Sequence, residues 1–417
     1  MSIWLGPSLA GGLVMAGVSG ALARRARVIP ALLLALTAVG ISLVLVHSLT
    51  TSRPSSLLSD GDLGGAELAR LPLGVLVGAW AALLLELGVA RRPRLGGGTI
   101  AAAIAVGVGS CLALSLTGLI PLALLLALMS ALLWIRWQHL TGPVLPLRSL
   151  GRQSAVILCA LLAGAAVLPS LRIGAAPAAL AGILLVGGLG GVAGLLPLSG
   201  WVSAASRVTS PEAAVWRIWL IPVAIVALAR VMVAGPVVLG QVMQLLLVAL
   251  GLGTAIFWGC AGLLADPSVR YWRVLQGDVG FMCVGIASGD AQGLAAAMLL
   301  IVVHWLAGAA LSEPRGARSH LFAWLGLSGV PPFGGFAGRV LALVGVSYMG
   351  PVVVALLLLG FGLQLAASGA GAREAAIRAT VRGPRVSELA GLAAAFGALT
   401  VGLVAGPVLQ TAFGLHL

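Results

Sequence analysis

The chain contains no lysine: all 24 of its basic residues are arginine. Arginine keeps its proton in proteins, whereas a desolvated lysine can titrate near neutrality, so no lysine proton relay can exist here. Charge of either sign is scarce, at 8% of 417 residues, against roughly 25% in soluble domains. That scarcity excludes a sizeable water-facing domain. Cysteine is confined to Cys111, Cys159, Cys260 and Cys283, which lie in apolar runs without metal-ligand spacing and read as small buried hydrophobes. No Gly-rich phosphate loop follows a strand, and flavin, haem and iron–sulfur ligand patterns are missing. The expectation is therefore no cofactor, no metal site and no redox chemistry within the chain. A cleavable signal is not expected either, because residues 3–22 lead directly into Arg24, Arg25 and Arg27 rather than a small-residue cleavage site.

Apolar residues supply what is left, 60% of the chain. They fall into fourteen runs: 3–22, 28–46, 71–90, 99–118, 119–135, 154–171, 175–198, 213–233, 237–264, 274–288, 294–311, 321–346, 351–367 and 389–413. Most are near the ~20 residues needed to cross a bilayer. The sequence predicts an all-α integral membrane protein with about 14 transmembrane helices. The net charge of +13 suggests nucleic acid at first sight, but the positions of the arginines argue for a bilayer instead. Nineteen of them sit in alternate connections, from Arg24, Arg25 and Arg27 through Arg270 and Arg273 to Arg373, Arg378, Arg382 and Arg385. This positive-inside bias places the odd-numbered loops in the cytoplasm and both termini on the far side. Trp134, Trp137, Trp201, Trp216, Trp219 and Trp272 stand near predicted span ends, as interfacial belts require. Residues 50–70, with Asp60, Asp62 and Glu67, read as a surface loop, and Glu86 as an interface residue. Residues 369–385 read as a short cytoplasmic helix along the membrane, with Glu374, Arg378 and Arg382 at i,i+4 spacing.

Two runs are interrupted alike. The seventh contains Gly187-Gly188-Leu189-Gly190-Gly191-Val192-Ala193-Gly194-Leu195-Leu196-Pro197, and the twelfth Gly326-Leu327-Ser328-Gly329-Val330-Pro331-Pro332-Phe333-Gly334-Gly335-Phe336. Unwound backbone at membrane depth is tolerated only where it lines a site or is buried in protein. Paired broken helices in corresponding halves point to an inverted-repeat transporter. Non-helical backbone is expected near residues 190–194 and 330–333, with Gly190, Gly191, Pro197, Pro331 and Pro332 marking the breaks.

Four stretches over residues 185–345 resemble the antiporter-like subunits of respiratory complex I, the Mrp antiporters and the membrane-bound hydrogenases. Pro197-Leu198-Ser199-Gly200-Trp201 is similar to the family's Pro-x-x-x-Trp after its broken seventh helix. Thr209-Ser210-Pro211-Glu212-Ala213 resembles the Thr-Pro-x-Ser-Ala start of its eighth helix, which runs here to Arg230 at the family's arginine position. Asp266 through Gly280-Phe281-Met282 has the spacing of Asp-x-Lys-Arg…Gly-Tyr-Met. Gly329-Val330-Pro331-Pro332-Phe333-Gly334-Gly335-Phe336 matches Gly-Leu-Pro-Pro-Phe-x-Gly-Phe. The resemblance implies two inverted five-helix repeats. It divides the chain into helices 1–3 (residues 1–98), a first repeat (99–233), a second repeat (237–367), and an amphipathic linker with the last helix (368–417). It also implies a membrane-arm subunit working with other membrane and peripheral subunits, which hold the redox centres, in a prokaryotic-type cell membrane.

The departures are specific. The family's seventh-helix lysine position is Val192, its eighth-helix lysine falls at Ile221 or Pro222, and its eleventh-helix lysine is Gly308, four residues after His304. The fifth run contains no carboxylate. The ionisable positions that survive as ion-path candidates are Asp278, His304 and Arg339. Arg339 reads either as a fixed buried charge or as a snorkelling helix-end residue. His304 reads as a titrating relay or as a structural hydrogen-bonding residue. Asp278 reads as an ion-path acid or as a partner of Arg270 or Arg273. Glu212 reads as a helix cap pairing with Arg217, and Arg230 as a packing or polar-axis residue. Two roles stay open: proton or Na⁺ translocation, and a degenerate scaffold that no longer pumps. A free-standing antiporter is a third reading, less favoured because the spans hold so few polar groups.

Overall fold

The computed structural model describes residues 122, 124–131, 147–167, 175–202, 211–235, 237–311 and 317–381. The first four predicted spans, the last one, the 50–70 loop, Glu86 and Cys111 lie outside the described residues. Among the described residues the secondary structure is helical, without strands. A helical stretch at 124–131 is followed by α1 (Leu147–Val167), α2 (Ala175–Ala193), α3 (Pro211–Ala234), α4 (Val237–Leu263) and α5 (Pro267–Ser288). Then come α6 (Ala291–Leu311), α7 (Ala317–Leu327), α8 (Gly334–Gly345) and α9 (Pro351–Val381). Among the described residues four segments are long and apolar enough to cross a membrane: Ala175–Ala193, Val237–Leu263, Ala291–Gly308 and Pro351–Ala379.

Helix α5 is the centre of the described bundle, buried without interruption from Val274 to Ser288 and packed against α4, α6, α8 and α9. Its ends follow from sequence. Pro267 opens it, where a missing N–H costs nothing, and Gly289 closes it in the left-handed region at φ 70°. Asp290 then caps α6 by accepting the Gly293 N–H at 2.6 Å. Small residues bring α4 and α5 into backbone contact, because a Cβ on Gly280 would overlap the Gly251 carbonyl oxygen and lie 2.5 Å from Ala255 N. Helix α9 meets the bundle through a stripe containing Leu357, Gly360, Gln364, Ala367, Ser368, Gly371 and Ala375, while Val352, Leu358, Leu359 and Ile377 face outward.

Several boundaries differ from those expected. The tenth span begins at Pro267 rather than 274, so Arg270 and Arg273 stand inside α5 and not in a loop. The thirteenth span does not stop at 367. It continues as one helix to Val381, and the separate surface helix expected over 369–385 is absent from its described part, residues 369–381. The reason is contact: a Cβ on Gly371 would overlap the Trp324 ring, and Glu374 pairs with Arg270. Those residues belong to the bundle. Arg378 Nε donates to the Glu374 backbone carbonyl at 3.3 Å.

The first break also comes later than expected. Gly190 and Gly191 are helical, and regular helix persists to Ala193. The glycine run serves helix contact. A Cβ on Gly188 would approach Leu161 Cγ at 2.7 Å, and one on Gly191 would approach Ile157 Cγ1 at 2.6 Å.

Candidate functional site

Both interrupted helices carry backbone carbonyls that have lost helical partners, and side chains meet them. Helix α2 ends in a left-handed glycine cap at Gly194, φ 82°. Gly194 N donates to Gly191 O at 3.1 Å and Leu195 N to Gly190 O at 2.8 Å, the reciprocal pattern of a glycine-terminated helix. Trp201 Nε1 donates to Gly191 O at 2.9 Å. Gln276 Nε2, from α5, donates to Ala193 O at 3.0 Å and to Gly194 O at 2.8 Å. Thr254 Oγ1 on α4 accepts the Leu196 N–H at 3.1 Å. Pro197 follows at once, exposed. Trp201 is therefore no interfacial belt residue: it is 8% exposed and holds the break. Trp272, 5% exposed, is likewise buried.

The second break, residues 328–333, separates α7 from α8. Ser328 turns the chain by donating its hydroxyl to Leu325 O at 2.6 Å, and Pro331 and Pro332 sit exposed at the tip. Glycine is required at Gly335, where a Cβ would stand 2.8 Å from both Gly326 O and Leu327 O. Arg339, one turn into α8, reaches back and donates Nη1 to Leu327 O at 2.9 Å. Its other two donors converge on Asp278 Oδ1, Nε at 3.0 Å and Nη2 at 2.7 Å. The two side chains are 0% and 1% exposed. The guanidinium carbon lies 5.8 Å from the ring centroids of both Phe281 and Phe361, within cation–π range. Two of the three ion-path candidates thus neutralise one another in an aromatic enclosure.

Gln276 and Asp278 stand two residues apart on α5, roughly 200° around the helix. One helix therefore holds the first break with an amide and the second, through Arg339, with a carboxylate.

The remaining sequence candidates distribute as follows. His304 is buried on α6. It continues by one turn the stripe that meets α8, where Gly345 approaches Gly293 and Gly338 approaches Leu300. That register sets it at the level of the start of α8, and the three hydrogen bonds that fix Arg339 go elsewhere. Arg230 is buried on α3, 3% exposed. Glu212 and Arg217 stand in the first two turns of α3, which runs unbroken through Pro222; their side chains lie outside the described residues. Asp278 does not pair with Arg270 or Arg273. Arg270 pairs with Glu374 and donates to Gly262 O at 3.3 Å and Ala265 O at 2.8 Å, while Arg273 donates to Ala261 O at 2.8 Å. Both cap the end of α4. Val192, at the family's lysine position, is 3% exposed among apolar side chains. Among the described residues no cluster of His, Cys, Asp or Glu is arranged to hold a metal ion.

Gln276, Thr254 and Gln364 were not singled out from sequence, since a neutral side chain in an apolar helix carries no charge signal. The one available sign was rarity: polar residues in spans are costly wherever they occur.

No family model matches the sequence, and no curated protein does. Solved structures do match in fold. A chain of the membrane-bound sulfane sulfur reductase, an archaeal respiratory membrane complex, superposes with TM-score 0.78 and 17% identity, over 99% of this chain and 96% of that one. A chain of the Mrp complex from Dietzia sp. DQ12-45-1b gives TM-score 0.74 and 16% identity, over 98% and 96%. A chain of respiratory complex I from Thermus thermophilus gives TM-score 0.66 and 20% identity, over 96% and 98%. The chain shares the fold of these chains, and with its long apolar helices it is a multi-pass membrane protein.

Proposed function

We propose that this chain is an antiporter-like membrane subunit of a multi-subunit assembly of the complex I, Mrp or membrane-bound reductase kind. We further propose that its Asp278–Arg339 pair locks the second broken helix instead of carrying the transported ion. One observation carries the lock: all three donor atoms of Arg339 are committed, two to Asp278 and one to the carbonyl that ends α7. A guanidinium keeps its charge, so it offers no proton to a relay, and it holds the one carboxylate beside it. The fold likeness and the motif order support the subunit assignment. Under this reading residues 99–233 and 237–367 are the two inverted repeats, and the redox centres belong to other subunits. Under the same reading the chain resides in a prokaryotic-type cell membrane, which the family resemblance supports, with its termini on the non-cytoplasmic side, which the arginine alternation favours.

A second reading keeps proton or Na⁺ movement within this chain. Buried His304, at the level where α8 begins, favours it.

Native purification with identification of the co-purifying subunits tests the assignment. Stable recovery with other membrane and peripheral subunits is the expected result, and recovery of an active monomeric antiporter contradicts it. Labelling of cysteines introduced by Gly316→Cys and Ser55→Cys tests orientation, with Gly316 expected to react from the cytoplasmic side only.

A further inference from the structure

Three buried side chains at one level of the bundle carry polar atoms without a hydrogen-bond partner. They are Gln276 Oε1, Trp258 Nε1, and both amide atoms of Gln364. The two glutamines are 0% exposed and the tryptophan 6%. Their common level follows from glycine contacts. A Cβ on Gly277 would overlap the Gln364 amide, and one on Gly259 would lie 2.8 Å from Leu363 Cβ and 3.7 Å from Gln364 N. Residues 258–259 of α4, 276–277 of α5 and 363–364 of α9 therefore meet in one layer. Gln276 turns toward the first break and Asp278 toward the second, and Gln364 stands one turn along α9 from Phe361, whose ring packs on Arg339. Leaving an amide unpaired in an apolar interior costs several kcal/mol against hydrocarbon, and native structures pair such groups with protein or with bound water.

We infer that this layer is a buried water site, held by the Gln364 amide, Gln276 Oε1 and Trp258 Nε1, against the carbonyl-rich end of α2. The donor set selects the ligand. A bare cation here would face the indole N–H and an amide N–H, and an anion would face Gln276 Oε1. Water both donates and accepts, and a buried water is held by 2 to 4 such partners. Gln276 is shared: its Nε2 serves Ala193 O and Gly194 O, so the water would anchor the residue that holds the first break.

The test uses the full chain in lipid nanodiscs or its native assembly. A high-resolution structure should show ordered solvent within hydrogen-bonding distance of the Gln364 amide. Radiolytic labelling in ¹⁸O-water should mark Trp258, and Gln364→Leu should drop that labelling to background while Trp324, which contacts Gly371, is unchanged. Replacing Na⁺ by choline should leave the Trp258 signal as it was. If Gln364→Leu does not assemble, the wild-type density and labelling decide alone. Dry density with background labelling of Trp258 in the wild type overturns the inference, and so does a signal that requires Na⁺.

Discussion

Arg339 sets two of its nitrogens on one oxygen of Asp278, at 3.0 and 2.7 Å, across 61 residues of sequence. Its third donor holds the carbonyl of Leu327 at 2.9 Å. The contact joins α5 to both sides of the second break. With Gln276 on the opposite side of α5 holding the first break, a single buried helix positions two segments of irregular backbone.

Removing one partner leaves a buried charge unpaired, which costs roughly 3–5 kcal/mol, whereas exchanging both for apolar residues is often neutral. Asp278→Leu and Arg339→Met should each lower the unfolding temperature strongly, and the double variant should recover much of the loss. Thermal unfolding in detergent measures this; additive losses would deny the pairing.

Gln276→Leu should leave Ala193 O and Gly194 O without their shared donor. An unsatisfied buried acceptor costs about 1–3 kcal/mol. Hydrogen exchange should rise at residues 194–202 and stay unchanged at residues 340–345.

Glycines divide by what surrounds them. Gly280→Ala should destabilise by about 1–3 kcal/mol, as overpacking does, because its Cβ meets the backbone of α4. Gly253→Ala, with nothing within 4 Å, should be tolerated. Equal unfolding temperatures for the two variants would contradict the close approach of α4 and α5.

At the far end of α5, Arg270→Ala removes a donor from two carbonyls as well as the ion pair, whereas Glu374→Gln removes only the pair. Glu374 is 31% exposed, and solvent-screened pairs contribute within about 1 kcal/mol. The arginine variant should be clearly the less stable in chemical denaturation.

The sequence made the helical, membrane-spanning character legible, because apolar runs of bilayer length are a local signal. It also located the two breaks, to within a few residues. Gly190 and Gly191 misled because glycine marks both an unwound backbone and a tight helix contact, and here it is the contact. The partner of Arg339 was not legible, since nothing in the chain's local pattern links positions 61 residues apart. Gln276 and Gln364 escaped notice for a different reason: neutral amides reveal their role only when the neighbouring carbonyls and glycines are in place. The length of α9 was misjudged because the apolar run ends at 367 and the charged, i,i+4-spaced stretch beyond it reads as a separate element, while Gly371 in fact seats Trp324.

The lock is tested most directly by ion flux through the native assembly carrying the double substitution Asp278→Leu and Arg339→Met. The account predicts that coupled ion movement persists close to the wild-type rate when the assembly forms in normal amounts. Loss of flux from a fully assembled, stable complex would contradict it and make the pair part of the ion path.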